Sequence, residues 1–228
     1  MKKISTQYGL LFSGQINRPD IVASTINDEF PELFDGVPLN LPLPPDAPPE
    51  IISSQLKSSN EKWKLSISKV RLDLVRQLEN KEDEINTRDL ENMLKIILLC
   101  FDKIKEQLVD VNRIVNLANY MILEENPVEF IQEKLSVKKF LKTKDLKIRF
   151  NQQESLNDNF NINNISIIEN GKLKKEEIGD INKEIILIQR DINTRHDMLQ
   201  NFPKENVNKF FKLTDLLLDE KEVLNFFS

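Results

Sequence analysis

Catalytic chemistry in this chain would have to be built around His196, the only histidine, which stands between Arg195 and Asp197 and five residues after Asp191. A Ser/His/Asp triad needs its serine on a strained, glycine-flanked elbow, and the sequence contains no Gly-x-Ser-x-Gly. A zinc centre of the histidine type needs further His or Cys ligands, which one histidine and one cysteine do not supply. Carboxylates remain. Asp180, Glu184, Asp191 and Asp197 fall close together in sequence, and magnesium accepts carboxylates while keeping several waters, so a metal-dependent nuclease is the one reaction class these residues suggest. Asp191, two residues before Asn193-Thr194, serves equally well as a turn or helix-entry residue bonded to local backbone. Gly9, Gly14, Gly36, Gly171 and Gly179 never group as a phosphate-cradling loop requires. The expectation is a protein with no catalytic residues, no cofactor and no resident metal.

Two segments bear on binding instead. Lys138, Lys139, Lys142, Lys144, Lys147 and Arg149 form a basic run interrupted only by Asp145, able to neutralise several phosphates. The same run fits a solvated helix end followed by an edge strand that lysines protect from pairing. No aromatic stacking residues are evident beside the lysines, because Phe140 and Phe150 alternate as core residues do. Near the C-terminus, Phe210, Leu217, Leu224 and Phe227 recur at near-helical spacing, with Phe211, Leu218 and Phe226 to one side. Two apolar stripes on one helix imply a second partner and point to a subunit interface. A break near Asp219-Glu220 would instead give two short helices, each burying its own stripe.

The elements that must position these residues follow from periodicity. Residues 4 to 16 alternate as a strand, and Asn17-Arg18-Pro19-Asp20 then supplies a capping side chain and a first-turn proline for a helix ending at Pro31. Seven of the ten prolines lie from Pro31 to Pro49, which makes that stretch extended. It reads as a polyproline ligand or as a rigid crossover anchored by Leu39, Leu41 and Leu43. A three-stranded meander over residues 50 to 78 leads to a long helix capped by Asn86 or Thr87, with Leu90, Leu94, Ile97, Leu98, Phe101, Ile104 and Leu108 on one stripe. From Val111 the pattern repeats: a strand, a short helix opened by Asn126-Pro127, strands near Leu146 to Phe150, Phe160 to Ile168 and Ile185 to Ile192, and a helical region over Pro203 to Phe227. Asn170-Gly171 signals a type I′ hairpin turn, since both central residues of that turn need positive φ.

The order strand, short helix, three strands, long helix thus occurs twice, over 1-109 and 110-228, the second time with an Asn-Gly hairpin arm. Two landmarks give the period: Ile85-Asn86-Thr87-Arg88 recurs as Ile192-Asn193-Thr194-Arg195, and Pro19 corresponds to Pro127. The fold class expected is α+β, with duplicated β-α-β-β-β-α halves joined edge to edge into one continuous curved antiparallel sheet backed by two long helices. This element order is similar to the TATA-binding-protein-like fold, whose concave face holds a helix, a nucleic acid or a small ligand. In Pro42-Leu43-Pro44-Pro45, Trp63-Lys64-Leu65-Ser66-Ile67-Ser68, Val111-Asn112-Arg113-Ile114-Val115-Asn116-Leu117 and Leu187-Ile188-Gln189-Arg190-Asp191-Ile192-Asn193-Thr194, the chain resembles a sporadically distributed family of uncharacterised prokaryotic proteins. That resemblance implies scattered, mobile inheritance of the kind seen in defence or toxin-antitoxin loci, and it brings no catalytic residues.

Composition limits the classes further. A net charge of −5 gives no global attraction to phosphate backbones. The apolar runs are far short of a bilayer span, and Ser5, Thr6 and Gln7 interrupt any leader beginning at Met1-Lys2-Lys3. The single cysteine, Cys100, lies in an apolar run and suits a reducing compartment. A cytoplasmic, non-enzymatic interaction or adaptor protein that binds a protein partner or itself is therefore expected, with a nucleic-acid-binding saddle as the alternative.

Overall fold

Apolar residues that alternate in burial set the strands of the computed structural model, which describes residues 1–44, 46–78, 83–135, 144–157, 160–173, 183–195 and 201–225. In chain order they are β1 (Lys2–Phe12), α1 (Pro19–Glu29), β2 (Leu39–Asn40), β3 (Ser54–Lys57), β4 (Trp63–Ile67), β5 (Arg71–Gln77), α2 (Thr87–Lys105), β6 (Val111–Leu123), α3 (Pro127–Lys134), β7 (Lys147–Leu156), β8 (Phe160–Leu173), β9 (Lys183–Thr194), α4 (Lys204–Leu217) and α5 (Glu220–Asn225). The protein is α+β, with one nine-stranded sheet in the order β2-β3-β4-β5-β1-β6-β9-β8-β7. Every neighbouring pair is antiparallel. No described helix is long and apolar enough to cross a membrane.

The centre of the sheet is the β1–β6 pair, in which Tyr8 faces Asn116 and Gly9 faces Val115. Outward from β1 come β5, β4, β3 and β2; outward from β6 come β9, β8 and β7. The strands send one face of the sheet into the core. Tyr8, Leu10 and Phe12 of β1, Leu65 and Ile67 of β4, Leu72 and Leu74 of β5, Ile114, Ala118 and Tyr120 of β6, and Ile186, Ile188 and Ile192 of β9 all belong to one buried cluster. The helices cover that face with Val22 and Ile26 of α1, Met93, Ile97 and Phe101 of α2, Ile131 of α3 and Val207, Phe210 and Phe211 of α4. Each such large side chain contributes roughly 1.5 to 3 kcal/mol on burial.

Local chemistry explains the helix ends. Asn86 caps α2 through a reciprocal box: its side chain accepts the Asp89 N–H, and the Asp89 carboxylate accepts the Asn86 N–H. Pro19 and Pro127 each open a helix that follows a strand, but neither Arg18 nor Asn126 makes a side-chain cap. At α1 the work passes to Gln107, whose Oε1 accepts the Asn17 and Arg18 N–H groups at 3.0 and 2.9 Å. Arg76, buried against Trp63, is neutralised by Asp83 and Asp89, which ties the end of β5 to the start of α2.

Several sequence expectations are overturned. Asn170 and Gly171 make no turn; they sit inside β8, opposite Ile186 and Ile185, because pairing with β9 continues through them and the Leu146 carbonyl takes the Asn170 N–H. The chain reverses between Leu156 and Phe160, and Asn157 takes the positive φ of 50°. The tetrapeptide landmark fails as well, since Asn86 caps a helix whereas Ile192, Asn193 and Thr194 belong to a strand. Leu39 and Leu41 are no anchors, being 47% and 44% exposed. The proline-rich segment is held by backbone pairing of β2 with β3 and by the Leu41 N–H on the Ser53 carbonyl at 2.7 Å.

Among the described residues only α2, at 19 residues, is long. The C-terminal region breaks after Leu217, and the Asp219 carboxylate restarts it by accepting the Lys221 N–H at 2.9 Å. This break puts Phe210, Phe211 and Leu218 wholly inside the chain's own core, so the proposed interface loses those three residues. Phe211 stacks on Tyr8 with ring centroids 4.0 Å apart, and Phe210 packs edge-on against Phe160 at 5.5 Å. Leu217 packs partly buried against the core, Leu224 is exposed, and Phe226 and Phe227 lie outside the described residues. Replacing Phe210 or Phe211 with Ala should cost about 3–5 kcal/mol in denaturant melts. Sedimentation of the surviving folded protein should be unchanged; a loss of association without a loss of stability would return these rings to an interface.

Candidate functional site

The other face of the sheet carries the opposite set of alternating residues, and among the described residues no helix packs on it. From the β1 side of the centre it presents Ser5, Gln7, Gly9 and Leu11 of β1, Arg71 and Asp73 of β5, and Gln55 and Ser66 of β3 and β4. From the β6 side it presents Arg113, Leu117 and Asn119, then Gln189, Asp191 and Asn193 of β9, Asn163 of β8, and Lys147 and Arg149 of β7.

These side chains are joined by hydrogen bonds that run across the strands. Arg71 grips the Asp73 carboxylate through Nε and Nη2 at 2.7 and 2.9 Å, and Gln7 Nε2 donates to the same carboxylate at 2.7 Å. Gly9 permits this, because a Cβ there would stand 3.1 Å from Asp73 Oδ1 and 3.3 Å from Val115 Cβ. Beyond the centre, Arg113 Nη2 donates to Asn193 Oδ1 at 2.8 Å, Asn163 Nδ2 donates to the same oxygen at 3.0 Å, and Asn193 Nδ2 donates to Asp191 at 2.8 Å. Asn193 is only 1% exposed, so it works as the hub of this ladder. Asn119 and Ser5 bridge β6 to β1 at 2.8 Å. The ladders hold donors and acceptors in fixed directions on one surface, which suits recognition of a polar surface.

Of the suggested metal cluster, the two described carboxylates do not come together. Glu184 and Asp191 are seven residues apart on β9, roughly 23 Å along an extended strand, and they project from opposite faces. Glu184 pairs with Lys172 at 3.0 Å. Asp180, Asp197 and His196 lie outside the described residues, and among the described residues no three His, Cys, Asp or Glu side chains group as metal ligands. Cys100 is fully buried, and burial pushes its thiol up. Of the basic run, Lys138, Lys139 and Lys142 lie outside the described residues, and Lys144 sits just before β7 with its carbonyl accepting from Asn170 at 3.0 Å. Lys147 and Arg149 are exposed on β7, Lys147 paired with Glu169 at 2.7 Å. Phe150 is 37% exposed, less buried than its spacing suggested.

Sequence reasoning missed a second polar assembly, beneath α4. The Tyr8 hydroxyl donates to Asp215 through a very short hydrogen bond, while Asn116 Nδ2 donates to Asp215 and to Thr214, each at 2.8 Å. Nearby the Tyr120 hydroxyl donates to the Leu218 carbonyl at 2.6 Å, and the Lys3 N–H donates to Glu220 at 2.7 Å. Tyr8 and Asn116 face each other at the centre of the sheet, so this cluster fastens α4 to both central strands. The only signal for it was a polar Asn116 among the apolar residues of one strand face. No protein-family model matches the chain, and no curated protein is significantly similar to it.

Burial holds the Asp215 carboxyl above the usual carboxylate range, against the opposing pull of Tyr8, Asn116 and Lys3. A carboxyl whose pKa is higher folded than unfolded favours the fold fully below the ordinary aspartate value of about 4, and loses that contribution as pH rises through the raised folded pKa. Asp215→Asn should therefore flatten the fall in stability from acid towards neutral pH. Tyr8→Phe strips a donor from the buried carboxylate; it should steepen that fall and cost about 1–3 kcal/mol near neutrality. Urea melts across this pH range decide it: an unaltered slope in Asp215→Asn would assign the dependence to another group.

Proposed function

We propose that this protein is a non-enzymatic interaction module that binds a partner protein across the helix-free face of its sheet. The observation that supports this most is the pair of hydrogen-bonded ladders centred on Asp73 and Asn193, which hold charged and amide groups of both polarities in place on that face. Pre-set donors and acceptors lower the ordering cost of association and discriminate against partners that leave them unmatched. The carboxylates of Asp73, Asp191 and Glu169 stand among Arg71, Arg113, Lys147 and Arg149, a mixture that fits a polar protein surface better than a phosphate backbone. The aromatic rings of Tyr8, Trp63, Tyr120 and Phe160 are all in the core, which leaves none of them to stack on bases.

The matched strand order on either side of the β1–β6 pair supports an origin by duplication of residues 1-109 and 110-228. The offset of 108 between Pro19 and Pro127 maps Tyr8 onto Asn116, and those two residues face each other at the centre of the sheet, where a two-fold relation between the halves would put them. In this reading the two halves form a saddle, and the resemblance to a scattered prokaryotic family supports a role as an adaptor within a multi-protein defence or toxin-antitoxin-like system. A second reading, nucleic-acid binding by the saddle, is favoured by one observation: Lys147 and Arg149 share the face that carries Arg71 and Arg113.

Affinity capture of the tagged chain from its native cell, followed by mass spectrometry, should recover a defined partner that the folded double variant Arg113→Glu, Gln189→Lys fails to retain. Retention by that variant would move the contact off this face. Nucleic-acid binding makes the opposite forecast, an affinity that falls steeply with salt and is lost in Lys147→Glu with Arg149→Glu. Fluorescence anisotropy with duplex and single-stranded oligonucleotides separates the two.

A further inference from the structure

The two edges of the sheet are built differently. At one, β2 is two residues long and bracketed by Pro38 and Pro42, which cannot donate to a further strand. At the other, β7 runs for ten residues, Lys147–Leu156, with no proline, no glycine and an unbroken register against β8. Its backbone bonding is decided by the residue just before it. Asn170 donates its N–H to the Leu146 carbonyl at 3.2 Å, and the register places Leu146 directly opposite Asn170. In an antiparallel ladder the bonded residues then alternate, so the even-numbered residues of β7 bond to β8. The odd-numbered ones, Lys147, Arg149, Asn151, Gln153 and Ser155, direct their N–H and C=O groups away from the sheet.

We propose that this edge joins two copies of the chain by antiparallel pairing of β7 with β7 about a two-fold axis at Asn151. Backbone accounting selects that register. Centred on Asn151, Lys147 faces Ser155, Arg149 faces Gln153 and Asn151 faces itself, so all five outward residues of each copy find a partner within the strand. Moving the axis by one residue to Phe150 or Gln152 leaves Ser155 or Lys147 without one. Charge selects the same register. About Asn151 the two Arg149 side chains stand roughly 13 Å apart along the strands and each lies opposite an amide; about Phe150 they would close to roughly 7 Å, a like-charge contact. An axis normal to the sheet keeps the helix-free faces of both copies on the same side, so pairing doubles that surface and leaves it open.

Sedimentation equilibrium across a concentration series tests this. The wild type should be a reversible dimer. Asn151→Pro removes an outward N–H that β8 does not use, so it should give a monomer with an unchanged melt. Gln153 supplies a test with two signs, because it faces Arg149 of the second copy: Gln153→Glu should tighten the dimer and Gln153→Lys weaken it, each by roughly threefold to tenfold across two identical contacts. A wild type that stays monomeric throughout overturns the proposal. So does a dimer that Asn151→Pro leaves intact, or one on which the two Gln153 variants act in the same direction; should Asn151→Pro fail to fold, the Gln153 pair decides.

Discussion

Everything in this fold is referred to the antiparallel pairing of β1 with β6. These two strands are 108 residues apart at their facing centres, Tyr8 and Asn116, yet each is the inner strand of its own half of the sheet. Such non-local pairing stabilises nothing until the loop between its ends has been closed, so it needs support from outside the ladder. The support is α4, which packs Phe211 onto Tyr8 and sends Asp215 between Tyr8 and Asn116. One carboxylate thereby holds β1, β6 and α4 in register.

The buried acid comes at a cost that its neighbours offset only in part, since its pKa remains raised. An apolar residue at 215 would remove that cost but would leave the Tyr8 hydroxyl and the Asn116 amide buried without this partner, which is the costlier arrangement. The cluster is thus self-consistent, and it specifies orientation: a helix rotated by one residue would withdraw Asp215 from both donors at once. Lys3, whose ammonium burial pushes down while Asp215, Asp219 and Glu220 pull up, extends the same logic to the start of α5.

Strands and helices were legible in the sequence wherever burial alternates or recurs at three to four residues. Thus β4, β5, β6 and α2 emerge close to their observed limits, and Asn86 could be named as a cap because its geometry is local. Properties that depend on the partner strand were not legible. Asn170-Gly171 favours a turn locally, but continued pairing with Ile186 and Ile185 carries β8 straight through it. The two apolar stripes near the C-terminus could not be assigned to a core or to an interface, because the break at Leu218 rotates the second segment and no local residue encodes that angle. Of the helix-free face, Arg113, Leu117, Asn119 and Met121 could be grouped from β6 alone. Their neighbours Gln7, Asp73, Asn163 and Asn193 could not, since only strand order brings them together.

The asparagines of β8 show what that strand order achieves. Asn161, Asn163, Asn164 and Asn170 occupy one strand although asparagine is among the residues least suited to strands. The abundance of asparagine does not by itself decide where these side chains point. Asn163 donates to Asn193, Asn164 accepts from Arg190 and donates to Glu154, and Asn170 bonds both Leu146 and Lys144. Asn161 carries a bond to Ser155. Each amide therefore replaces lost propensity with a cross-strand hydrogen bond, and the bonds run on both faces, towards β7 and towards β9. Phe160, Ile162 and Ile168 commit β8 to the core at intervals, and between them its position depends on the ladders on either side. That dependence makes β8 the link between the sheet's centre and its outer edge: Asn161, Asn164 and Asn170 tie it to β7 and the residues just before β7, while Asn163 joins the polar ladder that runs outward from Arg113.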